Sequence, residues 1–319
     1  MVNLINVSNA MPFGLLFVNY SLLLGLAGGL GLAWALFSRE DDKSYLIPAV
    51  AIVLTCGGIL NVLAEVQQAG HLIYGFIAGW ENWNGSIIKY GVPLLPIYIG
   101  LLLSAILITS TSYRRFLPAI KVAIAAVGTF TPAYSGIWMM SIHGVAIWNT
   151  PFSPLLTALA GGFFIYGLLT KHDSSERQKI TGLFALLSFG AICLGTWWMS
   201  KFASVEVSQS MQLINQHFWG VKLLTALTGI AMLLTALIAN PSRLWRLAGA
   251  VLAMVFGYTT RYLLLVAGEG VSRSGAGLSL FLPDAHELFF TAASLIFMGG
   301  IFAVLLLLIP VTDKWLKEL

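Results

Sequence analysis

Residues 133–154 read AYSGIWMMSIHGVAIWNTPFSP, and how they divide decides the fold. "AYSGIWMM" is apolar enough to close one helix, and "PFSP" followed by "LLTALAGGFF" opens another. Pro151 and Pro154 suit a helix entry, where a missing N–H costs little. Between the helices, "SIHGVAIWNT" is a short connection carrying a histidine, a tryptophan and an asparagine. Two apolar helices joined in this way form a helical hairpin. Hydrocarbon demands such helices, because every backbone N–H and C=O must find its partner inside the segment.

Composition extends the same reading to the whole chain. Its 319 residues are 58% hydrophobic and 9% charged, with mean hydropathy +0.86. Soluble domains carry about 25% charged residues. The chain reads as all-α, a polytopic membrane helical bundle forming one integral membrane domain over 1–319. A net charge of +4 is too small to point to nucleic acid, so the expected surroundings are the lipid bilayer. Cys56 and Cys193 lie inside apolar runs and cannot supply the four thiolates of an iron–sulfur cluster.

A membrane helix needs about 20 mostly apolar residues. About nine such runs are found, near 12–37, 45–68, 90–111, 117–140, 152–170, 180–200, 219–239, 247–268 and 287–311. Loop 69–89 holds a further apolar stretch that is too short to span. Arg39, Lys43, Arg114, Arg115, Lys121, Lys171, Arg177, Lys179, Arg243, Arg246, Lys314 and Lys317 fall at alternate ends of the runs. Only Lys89, Lys201 and Arg273 fall in the other connections. The positive-inside rule then predicts an outside N-terminus and a cytoplasmic C-terminus. No basic segment precedes the first run, which is expected to be a retained span rather than a signal peptide.

The outward connections are longer and chemically richer, and hold His71, His143, His217 and His286. They also hold the pairs Trp83-Asn84 and Trp148-Asn149. Function is therefore expected on the outer face, because loops carry it more often than scaffolds do. No connection is long enough for a soluble domain, so a large catalytic domain is expected to belong to another chain.

An ionisable or strongly polar group inside a span is expensive and is a functional candidate. Counted at 1.5 Å per residue, Asn19, Tyr20, Glu65, Tyr134, Lys222 and Arg261 reach similar depths in the outer leaflet, with Glu269 at the mouth. Each has a plain alternative. Lys222 can snorkel to headgroups, and Glu65 can pair with Lys222 or Arg261. Tyr134 can belong to an interfacial aromatic belt, and Asn19 can be interhelical glue. Arg261 is too deep to snorkel and needs an acidic or carbonyl partner. Their common depth suggests one pocket for an amphipathic molecule entering from the bilayer, such as a quinone.

Several signals are missing. No histidine lies mid-membrane, so haem ligation within the bundle is not expected. There is no HExxH pair and no GxSxG elbow. "GLAGGLGLAWA" in the first run and "ALAGGFF" in the fifth place small residues where helices can approach closely. Pro132 is positioned to kink its helix and free backbone carbonyls.

The stretch "YSGIWMMSIHGVAIWNTPFSPLLTALAGG" resembles the Tyr-x-Gly … Trp-Asn-x-Pro-x-x-Pro pattern of the NrfD-like family, the membrane subunits of polysulfide, tetrathionate and related reductases. "VNYSLLLGLAGGLGL" and "RYLLLVAGEG" resemble that family's first helix and a later Arg-Tyr segment. The resemblance implies a bundle without haem that exchanges electrons between menaquinone or ubiquinone and an iron–sulfur subunit docked on the outer face. That subunit would wire to a molybdenum or multihaem catalytic subunit. It implies the cytoplasmic (inner) membrane of a prokaryote. The quinone-site tyrosine carries over onto Tyr134, and the polar first-helix positions fall near Asn19 and Tyr20. The position after the second helix falls near Glu65 or His71. The chain departs from the family in its nine runs against a common core of eight helices. It also has "AEVQQAGHL" where the family has Asp-Leu-Gly-Arg-Pro. The related dimethyl sulfoxide reductase anchors are a further comparison.

The expected site thus has Glu65, Tyr134, His71 and His143 handling protons, with Asn19, Tyr20, Tyr134, Arg261, Glu269 and Trp148 around the quinone. Two other readings compete. An ion-coupled secondary transporter would use Glu65 and Arg261 as a substrate layer, but such sites lie near the midplane between repeats. A structural anchor without a quinone site would need only internal pairing of the same groups.

Overall fold

Each of the nine long apolar runs is helical in the computed structural model, which describes residues 14–38, 45–65, 88–109, 112–140, 146–148, 152–170, 175–202, 204–238, 241–271 and 285–317; the short apolar stretch of loop 69–89 lies outside them. In chain order the long helices are α1 (Leu15–Phe37), α2 (Leu46–Glu65), α3 (Ile88–Thr109), α4 (Leu117–Met140), α5 (Phe152–Leu169) and α6 (Ser175–Phe202). A short α7 (Val205–His217) precedes α8 (Trp219–Leu237), α9 (Arg243–Glu269) and α10 (Ala285–Lys317). Eight of them are long and apolar enough to cross a membrane, and the apolar helix Ser153–Leu169 is shorter.

Helix α1 is the axis of the bundle. Within its most apolar window 89% of residues are buried, against 6% in α10. It packs against α2, α4 and α5, and also against α9 and α10. Glycine makes this possible. A Cβ on Gly28 would lie 2.2 Å from the Gly128 carbonyl oxygen of α4, and one on Gly162 of α5 would lie 2.2 Å from the Gly29 carbonyl carbon. Backbones therefore touch on two sides of α1, as small residues permit. Pro132 deepens the contact with α4. It has no N–H for the carbonyl four residues back, and that carbonyl, Gly128 O, is the one facing Gly28. Tyr98 of α3 adds a bond from its hydroxyl to Ala27 O at 2.8 Å.

One connection differs from its sequence reading. The segment after the sixth run contains α7, where a loop was expected. Ser204 caps it, its hydroxyl accepting the Val207 N–H, and Val207, Ser210, Leu213 and Ile214 form its buried face. The face pins α7 to the end of α9, where the Ser210 hydroxyl donates to Ala267 O at 2.9 Å.

The two ends of the bundle differ in charge. At one end, Lys121 Nζ donates to Ser38 O at 2.8 Å, beyond the last turn of α1. Arg246 donates to Thr170 O at 2.8 Å at the end of α5, and Arg114 to Thr109 O at 3.0 Å at the end of α3. Cations at helix C-termini complement the negative end of the helix dipole. At the opposite end, the start of α1 meets carboxylates.

Candidate functional site

Glu65 closes α2, and Glu287 lies in the first turn of α10. Glu65 Oε1 accepts the Gly14 N–H at 2.5 Å, and Glu287 Oε1 accepts the Leu15 N–H at 2.8 Å. The first backbone N–H groups of a helix have no partner within it and carry its positive dipole end. Two carboxylates from two other helices take that role here. Both converge over Gly14, where a Cβ would overlap Glu287 Oε1.

Less than two turns into α1 come three consecutive polar residues, Asn19, Tyr20 and Ser21, about 7–10 Å below the helix start at 1.5 Å per residue. Successive residues of a helix point about 100° apart, so each faces a different neighbour. Asn19 donates to Asn61 Oδ1 of α2 at 3.1 Å and to Thr291 Oγ1 of α10 at 2.9 Å. Tyr20 lies toward α4, its ring 6.0 Å from that of Phe17, which in turn lies 4.7 Å from the ring of Trp138 on α4. Ser21 accepts from Arg261 of α9.

Arg261 is 4% exposed. Its Nε donates to Ser21 Oγ at 3.1 Å, and Nη1 donates to Thr157 Oγ1 and Gly257 O, both at 3.0 Å. Nη2 donates to Pro154 O at 2.8 Å. The carbonyl partner expected from its depth is present, and among the described residues no carboxylate joins it. Placing Arg at the centre of a membrane helix costs about 2.5–3.5 kcal/mol or more. Hydrogen bonds to a charged group contribute about 1.5–3 kcal/mol each, so four neutral acceptors can offset it.

Tyr134 is buried two turns below the end of α4. Its hydroxyl takes a hydrogen bond from the backbone of Gly91 in the first turn of α3, and a Cβ on Gly91 would come within 2.6 Å of that oxygen. Trp148 sits in a single turn, Ala146–Trp148, between α4 and α5. It is 1% exposed and donates from Nε1 to Leu264 O of α9 at 2.8 Å. Expected around the quinone, it is buried and pins the α4–α5 turn onto α9.

These groups share a level along α1, but they do not form one pocket. Helix α1 stands in the middle and divides the layer into an amide network toward α2 and α10, an aromatic cluster toward α4, and a guanidinium network toward α5 and α9. Glu65, Tyr134 and Arg261 each answer to different partners. Glu269 ends α9 and is partly buried. His71, His143 and Asn149 lie outside the described residues.

No family model matches the chain, and no curated protein matches it by sequence.

Five side chains were missed in the sequence, Ser21 of α1 among them. Glu287 is a first-turn acid of the last run, and its "DAHE" context was legible as a helix start. Asn61, Thr157 and Thr291 are single polar residues in apolar runs, indistinguishable there from ordinary helix-lining residues. A separate cavity of about 960 Å³ lies on the far side of α9, between α6, α7 and α8. Of the polar layer expected from the sequence, Lys222 lines it, and among the described residues Asn19, Tyr20, Glu65, Tyr134, Trp148, Arg261 and Glu269 do not. Among the described residues no cluster of three or more His, Cys, Asp or Glu could hold a metal ion.

Proposed function

We propose that this chain is the quinone-binding membrane anchor of a respiratory oxidoreductase, passing electrons between membrane quinol and an iron–sulfur subunit docked on its outer face. Terminal chemistry would sit in a molybdenum or multihaem subunit beyond. The single observation that supports it best is the buried phenol of Tyr134, two turns below the end of the helix whose exit carries the family-like Tyr-x-Gly and Trp-Asn-x-Pro pattern. A phenol there can donate to a quinone carbonyl or accept from a quinol hydroxyl. Glu65 and Glu287 would take up the released protons at the same end. The lipid tail of menaquinone or ubiquinone would remain in the bilayer.

In this reading α5 is the ninth span, the carboxylate end faces outward, and the cation-rich end faces the cytoplasm of a prokaryotic cell. The helix-capping lysine and arginines at that end agree with it.

The decisive assay is quinol oxidation by the purified complex. Tyr134→Phe should lower turnover by about a hundredfold, the lower part of the range for a positioned proton donor, while the complex still assembles. Unchanged turnover in that variant rules out Tyr134 as the quinone ligand. A second reading, an anchor without a quinone site, draws on the complete internal bonding of Asn19 and Arg261. It predicts a complex lacking bound quinone whose subunits separate when Arg261 is replaced.

A further inference from the structure

The cavity beyond α9 is long, apolar and charged at one end. Phe189 and Phe256 line it on α6 and α9, their ring centroids 6.2 Å apart. Ser200 and Lys222 stand at the charged end. From Phe189 to Ser200 along α6 is about 16 Å at 1.5 Å per residue, room for an extended hydrocarbon chain. The walls also include Ile192, Trp197, Leu263 and Leu264. Ala226 of α8 opens onto it as a small residue. A cavity near 1,000 Å³ is at the upper end of what small-molecule ligands fill.

Lys222 supplies the chemistry. Its ammonium donates to Asn215 Oδ1 of α7 at 2.6 Å, and among the described residues no carboxylate pairs with it. Two of its three donor positions and its whole charge are left for something else. Its stem lies along the apolar wall and its ammonium stands at the exposed mouth, the arrangement of a snorkelling lysine. Helix α7 holds Asn215 there through its packing on α9, so the polar mouth is built by the fold rather than by one flexible side chain.

We propose that this cavity binds one anionic phospholipid, its phosphate on Lys222 and Asn215 and one acyl chain threaded between α6 and α9 toward Phe189. A neutral quinone headgroup would satisfy a single donor and leave the charge uncompensated, so the site differs in ligand class from the Tyr134 region. The inference does not depend on the quinol reading. α7 then acts as the clasp over the lipid, and its role is to hold the α6–α8 side of the bundle to α9.

The test uses the full chain in neutral detergent, stripped of lipid, with thermal unfolding read against added dioleoylphosphatidylglycerol, dioleoylphosphatidylcholine, oleate, a menaquinone analogue or inorganic phosphate. Phosphatidylglycerol should raise Tm and saturate near one molecule per chain, with an apparent affinity about fivefold above phosphatidylcholine, as one basic residue at an anionic headgroup contributes. Lys222→Gln should abolish the preference between the two lipids and Lys222→Arg should keep it. Ala226→Trp, which fills the channel and leaves the charge, should abolish saturable binding. Equal responses to both lipids, a preference surviving in Lys222→Gln, or binding surviving in Ala226→Trp would overturn the proposal. So would stabilisation by inorganic phosphate alone, or a stronger response to oleate or the quinone analogue.

Discussion

Arg261 shows how much a single side chain can hold together. Lysine at this position would keep the charge but offer a point donor in place of a planar fork. It could not reach Ser21, Thr157 and Pro154 O at once. Arg261→Lys is expected to lower stability by about 2 kcal/mol or more, from stranded buried acceptors, seen as a lower Tm in detergent. An unchanged Tm would mean that the four bonds do not hold α1, α5 and α9 together. Glu65 predicts a gentler outcome. Glu65→Gln still accepts the Gly14 N–H and loses the attraction of its charge to the helix dipole, about 0.3–1 kcal/mol. Its effect on stability should therefore be small, and any larger loss of quinol turnover would report its charge or proton rather than the fold. Here the limit of the sequence is also visible. Depth along a helix follows from counting, so the common level of Asn19, Tyr20, Tyr134 and Arg261 was legible. Direction around the helix was not. It depends on which helices surround α1, and three adjacent residues turned out to serve three different neighbours.

At the scale of elements, the glycines of α1 and α5 set the packing. Gly162→Val places side-chain atoms where the Gly29 backbone already lies, so folded protein should be lost. Gly100 of α3 has nothing within 4 Å of a Cβ, and Gly100→Ala should be neutral or stabilising by up to about 1 kcal/mol. Expression followed by size-exclusion chromatography of both variants checks the contrast, and equal behaviour would show that the α1–α5 contact tolerates separation. The long helices were legible because each is an apolar run of membrane length. Helix α7 was not. It is short and amphipathic, and it lies between two spans in a stretch rich in serine and glutamine. Its pattern of Val207, Ser210, Leu213 and Ile214 has helical spacing, but a polar residue on the buried face disguised it. The cavity it covers was invisible for the same reason: it exists only where α6, α7, α8 and α9 fail to fill the space between them.

For the whole molecule, the difference between the two ends makes a topological prediction. With Cys56 and Cys193 replaced by serine, Glu206→Cys in α7 should react with a membrane-impermeant maleimide added to intact cells. Arg115→Cys, at the cation-rich end, should react only after the cells are permeabilised. The reverse pattern would invert the orientation and put the proposed docking face on the wrong side of the membrane.

The central position of α1 also bears on how the bundle is made. Ser21 and its partner Arg261 are 240 residues apart, and Asn19 and Thr291 are 272 apart. At synthesis rates of about 5–20 residues per second, α1 waits on the order of 10–50 s for Arg261. Throughout that time its glycine faces and polar belt have only the earlier helices for company. The helix that ends most deeply enclosed is thus among the earliest made and the last to be completed. A ribosome that stalls before α9 leaves a half-bundle whose most polar side is still open, and such a chain should be a preferred substrate for membrane proteases.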